Sequence, residues 1–350
     1  MNDIIRVGMA GFGVAGQFFH APLLMADSRF ALAKVYERTT AKAEERYAGV
    51  RTVHTFEELL TDDIDMVVLC TPNSTHIPLA KQALNAGKHV VVEKPLAATA
   101  AEAEELSELS RKKSLLCVAH QNRRYDGDFL TVRQLLASGK LGSVSSFISR
   151  FDRYRAGANP RPWRRVAAPG TDAFYDIGIH LIDQAYVLFG MPDEVYAELF
   201  TRKTESCGTD EFSVSLYYPN TCVTLSSTEL AAGTEARFAI RGSRGTFIKY
   251  GKDTQERDLR AGKVPSAPDW GRDDTGNYGT LYTVDGSKIN ACKVETLHGN
   301  YPAFYDGVYK TLRENAPSPV PLEESVEVLR IMEAAVQSGQ EGRRISLRSL

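Results

Sequence analysis

Asp176, His180 and Asp183 stand at intervals of four and three within Tyr175-Asp176-Ile177-Gly178-Ile179-His180-Leu181-Ile182-Asp183. The apolar periodicity over 172–189 predicts a helix, and on a helix that spacing places all three on one face. A histidine one turn from a carboxylate is equipped for proton transfer, because the carboxylate can orient the ring and stabilise imidazolium. The same residues also suit a plain i,i+4 ion pair, worth about 0.3–0.5 kcal/mol, and spacing alone leaves both readings open. Lys94 is the second candidate. It lies in Glu93-Lys94-Pro95, directly after an apolar run over 89–92, where a buried strand would end and a ligand crevice would begin. A solvated loop lysine has the same composition; the strand-terminal position favours a functional one.

A glycine-rich turn adds a third element of chemistry. Gly11-Phe12-Gly13-Val14-Ala15-Gly16 follows an apolar run, opens a helical pattern, and precedes an acidic residue, Glu37, at the end of the next run. In that context GxGxxG fits a dinucleotide site. Gly11 permits the tight turn and Gly13 a close approach of backbone N–H groups to a pyrophosphate. Gly16 lets the helix pack near the sheet, and the helix N-terminus through Val14 and Ala15 favours the anion. The Glu37 carboxylate suits the ribose 2′-hydroxyl of NAD, whereas Arg38 suits the 2′-phosphate of NADP or stacking on adenine. NAD is favoured, with NADP as the alternative. Thr71-Pro72-Asn73-Ser74-Thr75-His76 and Glu93-Lys94 occupy two further strand ends, so Thr71, Pro72, Asn73, His76, Glu93 and Lys94 join Phe12 and the glycines as expected cofactor contacts.

The elements that must position these residues alternate through the first third. Strand-like runs over 4–10, 30–37, 65–70, 89–92 and 115–121 are separated by helical patterns over 15–26, 41–48, 76–86 and 100–113. That order predicts an α/β fold, a doubly wound parallel Rossmann sheet with right-handed crossovers. Thr99 and Glu102 read as a capping box for the last of these helices. From residue 122 the periodicity changes. Helices over 126–137, 172–189, 302–313 and 322–337 accompany strands over 143–155, 194–202, 212–218, 222–229, 237–241 and 245–250. Short turns join several of the strands, which predicts an α+β domain with a large open, mostly antiparallel sheet. The expected domains are 1–121 and 122–350. Val214, Leu216, Val223 and Leu225 suit either a covered core or subunit pairing, and 255–280 reads as a long surface loop.

Composition narrows the partners. The 350 residues carry 42 basic and 44 acidic side chains, a balance that argues against nucleic acid. No apolar run approaches the roughly 18–20 residues that span a bilayer. Five scattered cysteines, never in CxxC, predict free thiols and no metal site. Neither GxSxG, a Walker loop nor HExxH occurs, which removes the corresponding hydrolase, NTPase and zinc-protease readings. A cytoplasmic protein is expected.

GxGxxG, then TPNSTH, then GKHVVVEKP, and later DxGxHxxD resemble, in this order, the Gfo/Idh/MocA family that includes glucose–fructose oxidoreductase and inositol dehydrogenase. Gln121-Asn122-Arg123-Arg124-Tyr125, Gly242-Ser243-Arg244-Gly245 and Gly299-Asn300-Tyr301-Pro302 are similar to a subgroup with scyllo-inositol dehydrogenases. The chain departs from that subgroup at His120, where an aromatic residue is usual, and at Glu37, where NADP users often carry a small polar residue. The resemblance implies an NAD(P)-dependent dehydrogenase that moves a hydride between nicotinamide and a CH–OH group of a sugar or cyclitol. It implies one site shared by Lys94, Asp176 and His180. His180 would carry the proton, Asp176 would orient it, and Lys94 would hydrogen-bond the reacting oxygen, with the roles of Lys94 and His180 open to exchange. Asn122, Arg124, Tyr125, Arg155, Trp163, Asp183 and Tyr301 are expected against the substrate, with Arg164 and Tyr175 as further candidates. A homo-oligomer, dimer or tetramer, is expected. Two other readings share the fold: a cofactor-sensing regulator without turnover, and an NAD-dependent glycosidase.

Overall fold

A computed structural model of the chain describes residues 4–157, 170–204 and 206–348; Trp163 and Arg164 lie outside the described residues. The chain forms two compact units, neither of them continuous in sequence. The first comprises 1–122, 255–270 and 300–326, and the second 123–254, 271–299 and 327–350. The first boundary falls beside the expected one, but two later segments return to the first unit.

In the first unit, β1 (Ile5–Ala10), β2 (Phe30–Tyr36), β3 (Arg51–Val53), β4 (Met66–Leu69), β5 (His89–Val92) and β6 (Cys117–Ala119) form one sheet in the order β3-β2-β1-β4-β5-β6. Every pairing is parallel. Val7, Met9, all of β4 and Val90, Val91 and Val92 are buried, as befits strands covered on both faces. Sequence patterning does not find β3, because three residues of mixed exposure at a sheet edge carry no apolar run. Helices α1 (Ala21–Met25), α2 (Lys42–Arg46), α3 (His76–Asn85) and α4 (Ala100–Lys113) connect the strands. The capping box on α4 forms: Thr99 Oγ1 accepts the Glu102 N–H and Glu102 Oε2 accepts the Thr99 N–H, both at 3.2 Å. A wide π turn, Ala15–His20, precedes α1.

The segment expected as a surface loop is partly core. It carries a helix, Gln255–Arg260, and a buried Trp270 whose indole N–H donates to Gln255 Oε1 at 3.0 Å. The same oxygen accepts the Tyr301 N–H at 2.6 Å, at the start of helix Pro302–Glu314. Tyr301 is itself buried in the first unit.

The second unit is built on a nine-stranded sheet: β7 (Val144–Arg150), β8 (Glu194–Phe200), β9 (Glu211–Tyr217), β10 (Cys222–Thr228), β11 (Phe238–Gly242), β12 (Gly245–Lys249), β13 (Gly279–Asp285), β14 (Lys288–Val294) and β15 (Ile345–Ser346). Their order is β14-β13-β12-β11-β7-β10-β9-β8-β15, antiparallel except where β10 runs parallel to β7. Helices α5 (Gly127–Ala137) and α6 (Ile179–Phe189) belong to this unit. Val214, Leu216, Val223 and Leu225 are fully buried, so the covered-core alternative is the correct one for them. The opposite face of β9 and β10 carries Ser213, Ser215, Thr224 and Ser226 and is not an apolar surface.

Gly11 has φ +94°, and a Cβ on Gly16 would lie 2.5 Å from the Gly11 carbonyl oxygen. Gly16→Ala is therefore expected to force the π turn off the strand and to lower stability by about 1–3 kcal/mol, read by urea denaturation of the two proteins side by side.

Candidate functional site

The glycine turn has one position that the protein's own packing does not explain. A Cβ on Gly13 would meet nothing within 4 Å, unlike one on Gly11 or Gly16. Open space above a glycine at a helix start fits a pyrophosphate brought against backbone N–H groups, so the turn fits a dinucleotide.

Glu37 differs from expectation. Its Oε2 accepts the Thr40 hydroxyl at 2.5 Å and its Oε1 the Ala43 N–H at 2.8 Å. The carboxylate is buried and turned in to hold the start of α2, whereas Arg38 is exposed. His76 also differs. It is completely buried, with Nδ1 2.9 Å from the Pro95 carbonyl and Nε2 3.0 Å from the Thr71 carbonyl. It ties the segments after β4 and β5 together and has no surface to offer a cofactor. Thr71, Pro72 and Asn73 remain at least partly exposed at the end of β4.

Glu93 follows β5 and leads into Lys94, whose peptide bond to Pro95 is cis. Oε1 of Glu93 lies 2.9 Å from His20 Nε2 and 2.9 Å from His120 Nδ1, and Oε2 accepts the Lys94 N–H at 3.1 Å. The Tyr305 hydroxyl meets His20 Nδ1 at 2.6 Å. Burial pushes the Glu93 carboxyl up, but hydrogen bonds from His120 and His20 outweigh it and hold the group well below the usual carboxylate range. Burial, with His120 alongside, pushes His20 down to about 4. His20, His120 and Tyr305 were not among the expected site residues. No local motif marks them, since they come from the turn after β1, the end of β6 and a helix near the end of the chain.

In the second unit the expected helix over 172–189 begins with a π turn, Phe174–Gly178, before α6. Asp172 anchors that start: Oδ1 accepts the Tyr175 N–H at 3.1 Å and Oδ2 the Thr209 N–H at 3.1 Å. A π turn holds more residues than an α turn, so α-helical spacing does not describe the relation of Asp176 to His180. The Asp176 carboxylate lies 3.5 Å from the Arg153 guanidinium. His180 is buried on α6. Asp183 and Arg124, both expected against substrate, form a buried two-pronged pair with each other at 2.6 and 2.9 Å. Arg155, half-exposed, reaches Glu229 at 3.5 Å, an oxygen that Arg153 holds at 2.5 Å. Asn122 is buried at the end of the first unit and Tyr125 is half-buried in the second.

Residues 5–121 match the family described as "Oxidoreductase family, NAD-binding Rossmann fold", and residues 133–347 match "Oxidoreductase family, C-terminal alpha/beta domain". The chain is 40% identical over 341 residues to the uncharacterized oxidoreductase YdgJ of Escherichia coli, covering 97% of this chain and 98% of that protein. It is 36% identical over 346 residues to scyllo-inositol 2-dehydrogenase (NADP(+)) IolW of Bacillus subtilis, covering 99% and 96%. Among solved structures, that of yvaA from Bacillus subtilis aligns with a TM-score of 0.96 at 35% identity over 99% of both chains.

The depressed basicity of His20 makes stability depend on pH. Between its ordinary value of 6.5 and about 4, the unfolded chain binds a proton at residue 20 that the folded chain does not. Stability present at neutral pH therefore falls as the pH drops through that window, by up to about 1.4 kcal/mol per pH unit. Glu93 acts in the same direction at lower pH, as its folded carboxyl becomes protonated. Urea unfolding at several pH values checks this, and His20→Gln is expected to flatten the slope by one proton's share.

Proposed function

The chain belongs to the Gfo/Idh/MocA oxidoreductase family and is an enzyme, and from that premise we propose that it interconverts a CH–OH group and a ketone on a cyclitol or closely related sugar, with NADP as cofactor. The observation that carries the reading is within the first unit. A glycine turn with open space at Gly13 and a lysine whose backbone N–H is held by the largely buried Glu93 carboxylate stand at the carboxyl ends of strands in one parallel sheet. In open α/β sheets that edge is where nucleotides and their reacting partners bind.

A bound nicotinamide supplies the hydride acceptor in oxidation and the donor in reduction. The protein's part is geometry and proton movement. Lys94 donates a hydrogen bond to the reacting oxygen and stabilises alkoxide charge as it develops. His180 takes the hydroxyl proton in oxidation and returns it in reduction. Asp176, beside Arg153, orients His180. Arg124 and Asp183, bonded to each other in a buried pair, shape the substrate side together.

The choice of NADP over NAD has a physical reason. The carboxylate that would repel a 2′-phosphate is turned inward onto Thr40 and Ala43, while the Arg38 guanidinium is exposed beside it. An exposed guanidinium is suited to a phosphate. The cyclitol class is supported by the name of the full-length relative IolW, scyllo-inositol 2-dehydrogenase (NADP(+)).

The test follows cofactor absorbance with inositols, aldoses and sugar acids, each run with NADP and with NAD. Lys94→Ala and His180→Ala are each expected to lower turnover by about 10²–10⁴-fold, with cofactor affinity within about tenfold, roughly 1.4 kcal/mol. Full turnover in either variant rejects the assigned roles. Arg38→Ala is expected to weaken NADPH binding while leaving NADH binding nearly unchanged; equal loss of both would mean that Arg38 does not face the 2′-phosphate.

A further inference from the structure

His120 is buried in a charged cluster of the first unit. Its Nδ1 and His20 Nε2 approach one and the same oxygen, Glu93 Oε1, at 2.9 Å each. The two rings lie 4.1 Å apart, and His120 packs edge-on against Phe304 at 4.7 Å. Two nitrogens and a carboxylate oxygen stand close enough together to ligate a metal by distance alone. The arrangement is instead that of a carboxylate held by donors, because both nitrogens converge on the oxygen itself, at the point a metal would need.

The proton positions follow from the partners. Glu93 accepts from both rings, so each presents N–H toward it. His20 Nδ1 is then the acceptor for the Tyr305 hydroxyl at 2.6 Å, which makes that ring neutral. His120 Nε2 is buried with no hydrogen-bond partner; a proton there would be a buried N–H with nothing to accept it, a cost of about 1–3 kcal/mol or more for a charged group. The other oxygen of Glu93 accepts the Lys94 N–H. A single ionised carboxylate thus joins two imidazole N–H groups to the backbone of Lys94.

We propose that His120 is a positioning residue for Lys94: it gives the Glu93 carboxylate a second imidazole N–H, so that the carboxylate stays ionised, and keeps its hold on the Lys94 backbone, in mild acid as well as at neutrality. The inference rests on the role given to Lys94 above. The other groups facing Glu93 do not supply this hold. Burial raises the Cys70 thiol and the Tyr305 phenol well above their ordinary values, so neither is charged in this range. His76, on α3, is lowered by burial and is engaged with the Thr71 and Pro95 carbonyls. Lys94 supplies its backbone N–H to the second carboxylate oxygen. With His120 replaced by an aromatic ring, the buried carboxylate keeps one imidazole donor against the same desolvation, and its proton affinity rises.

The experiment compares His120→Phe, which keeps the ring packing on Phe304, with His120→Asn, whose amide N–H occupies the place of Nδ1–H. Kinetics are measured with NADP and the best polyol over about pH 5.5–8, and the Glu93 carboxyl is followed by ¹³C NMR in the cofactor-free protein, where an upward move of about one unit or more is a resolvable shift. Relative to wild type, His120→Phe is expected to keep kcat within about threefold at pH 8 but to lose about tenfold or more near pH 5.5, as a raised carboxyl titration predicts. The Glu93 titration is expected to move up by more than about two units, into the range where the acid limb appears, and His120→Asn to restore both properties. A merely structural role would instead lower kcat equally at every pH. ¹⁵N spectra of the wild type are expected to show His20 as the Nε2–H tautomer and His120 as the Nδ1–H tautomer at neutral pH. Imidazolium signals from either ring at pH 7, or a stoichiometric divalent metal bound at these nitrogens, would overturn the proposal. If Lys94→Ala abolishes turnover while His120→Phe moves neither the acid limb nor the Glu93 titration, this inference fails and the enzymatic reading stands. If no polyol is turned over but the Glu93 titration moves as expected, the carboxylate network stands and the enzymatic reading fails.

Discussion

A carboxylate removed from water needs donors in its place, and Glu93 finds them on three separate pieces of chain. His20 comes from the turn after β1, His120 from the end of β6, and the Lys94 N–H from its own segment. Each donor must arrive at hydrogen-bond distance or a buried charge is left exposed to a low-dielectric surrounding, which is among the more costly faults a fold can contain. The same carboxylate therefore fixes three positions at once. The glycine turn, the last strand of the parallel sheet and the segment bearing Lys94 are held in register by one side chain. Tyr305 extends the network to a helix near the end of the chain through His20.

The second unit solves a similar problem by pairing charges. Arg124 with Asp183, Arg237 with Asp128, Lys203 with Glu229 and Lys249 with Asp273 are all buried or nearly so. Such pairs add little net stability compared with apolar packing, since desolvation offsets much of their attraction. They do penalise misplacement, because moving one partner leaves the other uncompensated. Arg124 and Asp183 hold the start of this unit to α6, the helix that carries His180, and Gln184 on the same helix donates to the Arg123 carbonyl at 2.8 Å. Rigidity there suits the role proposed for His180, because proton transfer depends on hydrogen-bond geometry at the reacting atoms.

How much of this is legible in the sequence depends on whether the cause is local. Most of the parallel sheet is legible, because strands buried on both faces are apolar runs and the crossovers between them have helical periodicity. The capping box at Thr99 and Glu102 needs only four residues and reads correctly. β3 escapes because an edge strand of three residues has no pattern to read. Glu37 shows a different limit: its position at a strand end suggests a ribose contact, while its actual partners, Thr40 and Ala43, lie a few residues on in a helix start that composition does not mark. The π turn at Phe174–Gly178 defeats simple spacing for Asp176 for the same reason, since its extra residue is set by what packs around it. Trp270 is buried despite lying among charged residues, glycines and prolines, because Gln255 and the return of the chain near Tyr301 close over it. The Glu93 cluster is the least legible part, as its members are far apart in sequence and none stands in a recognised motif except Glu93 itself.

The discontinuity of the first unit sets an order of events on the ribosome. His20 and Tyr305 are 285 residues apart. At roughly 5–20 residues per second, the nascent sheet waits on the order of 15 to 60 s for the helix that satisfies the far side of His20. For most of that interval the nucleotide-binding half of the protein exists without segment 255–270, and for all of it without the complete segment 300–326. Its final closure is therefore a late, long-range step, and a chain cut short before residue 300 would release a sheet with every strand present and its innermost histidine lacking a phenol to hold it.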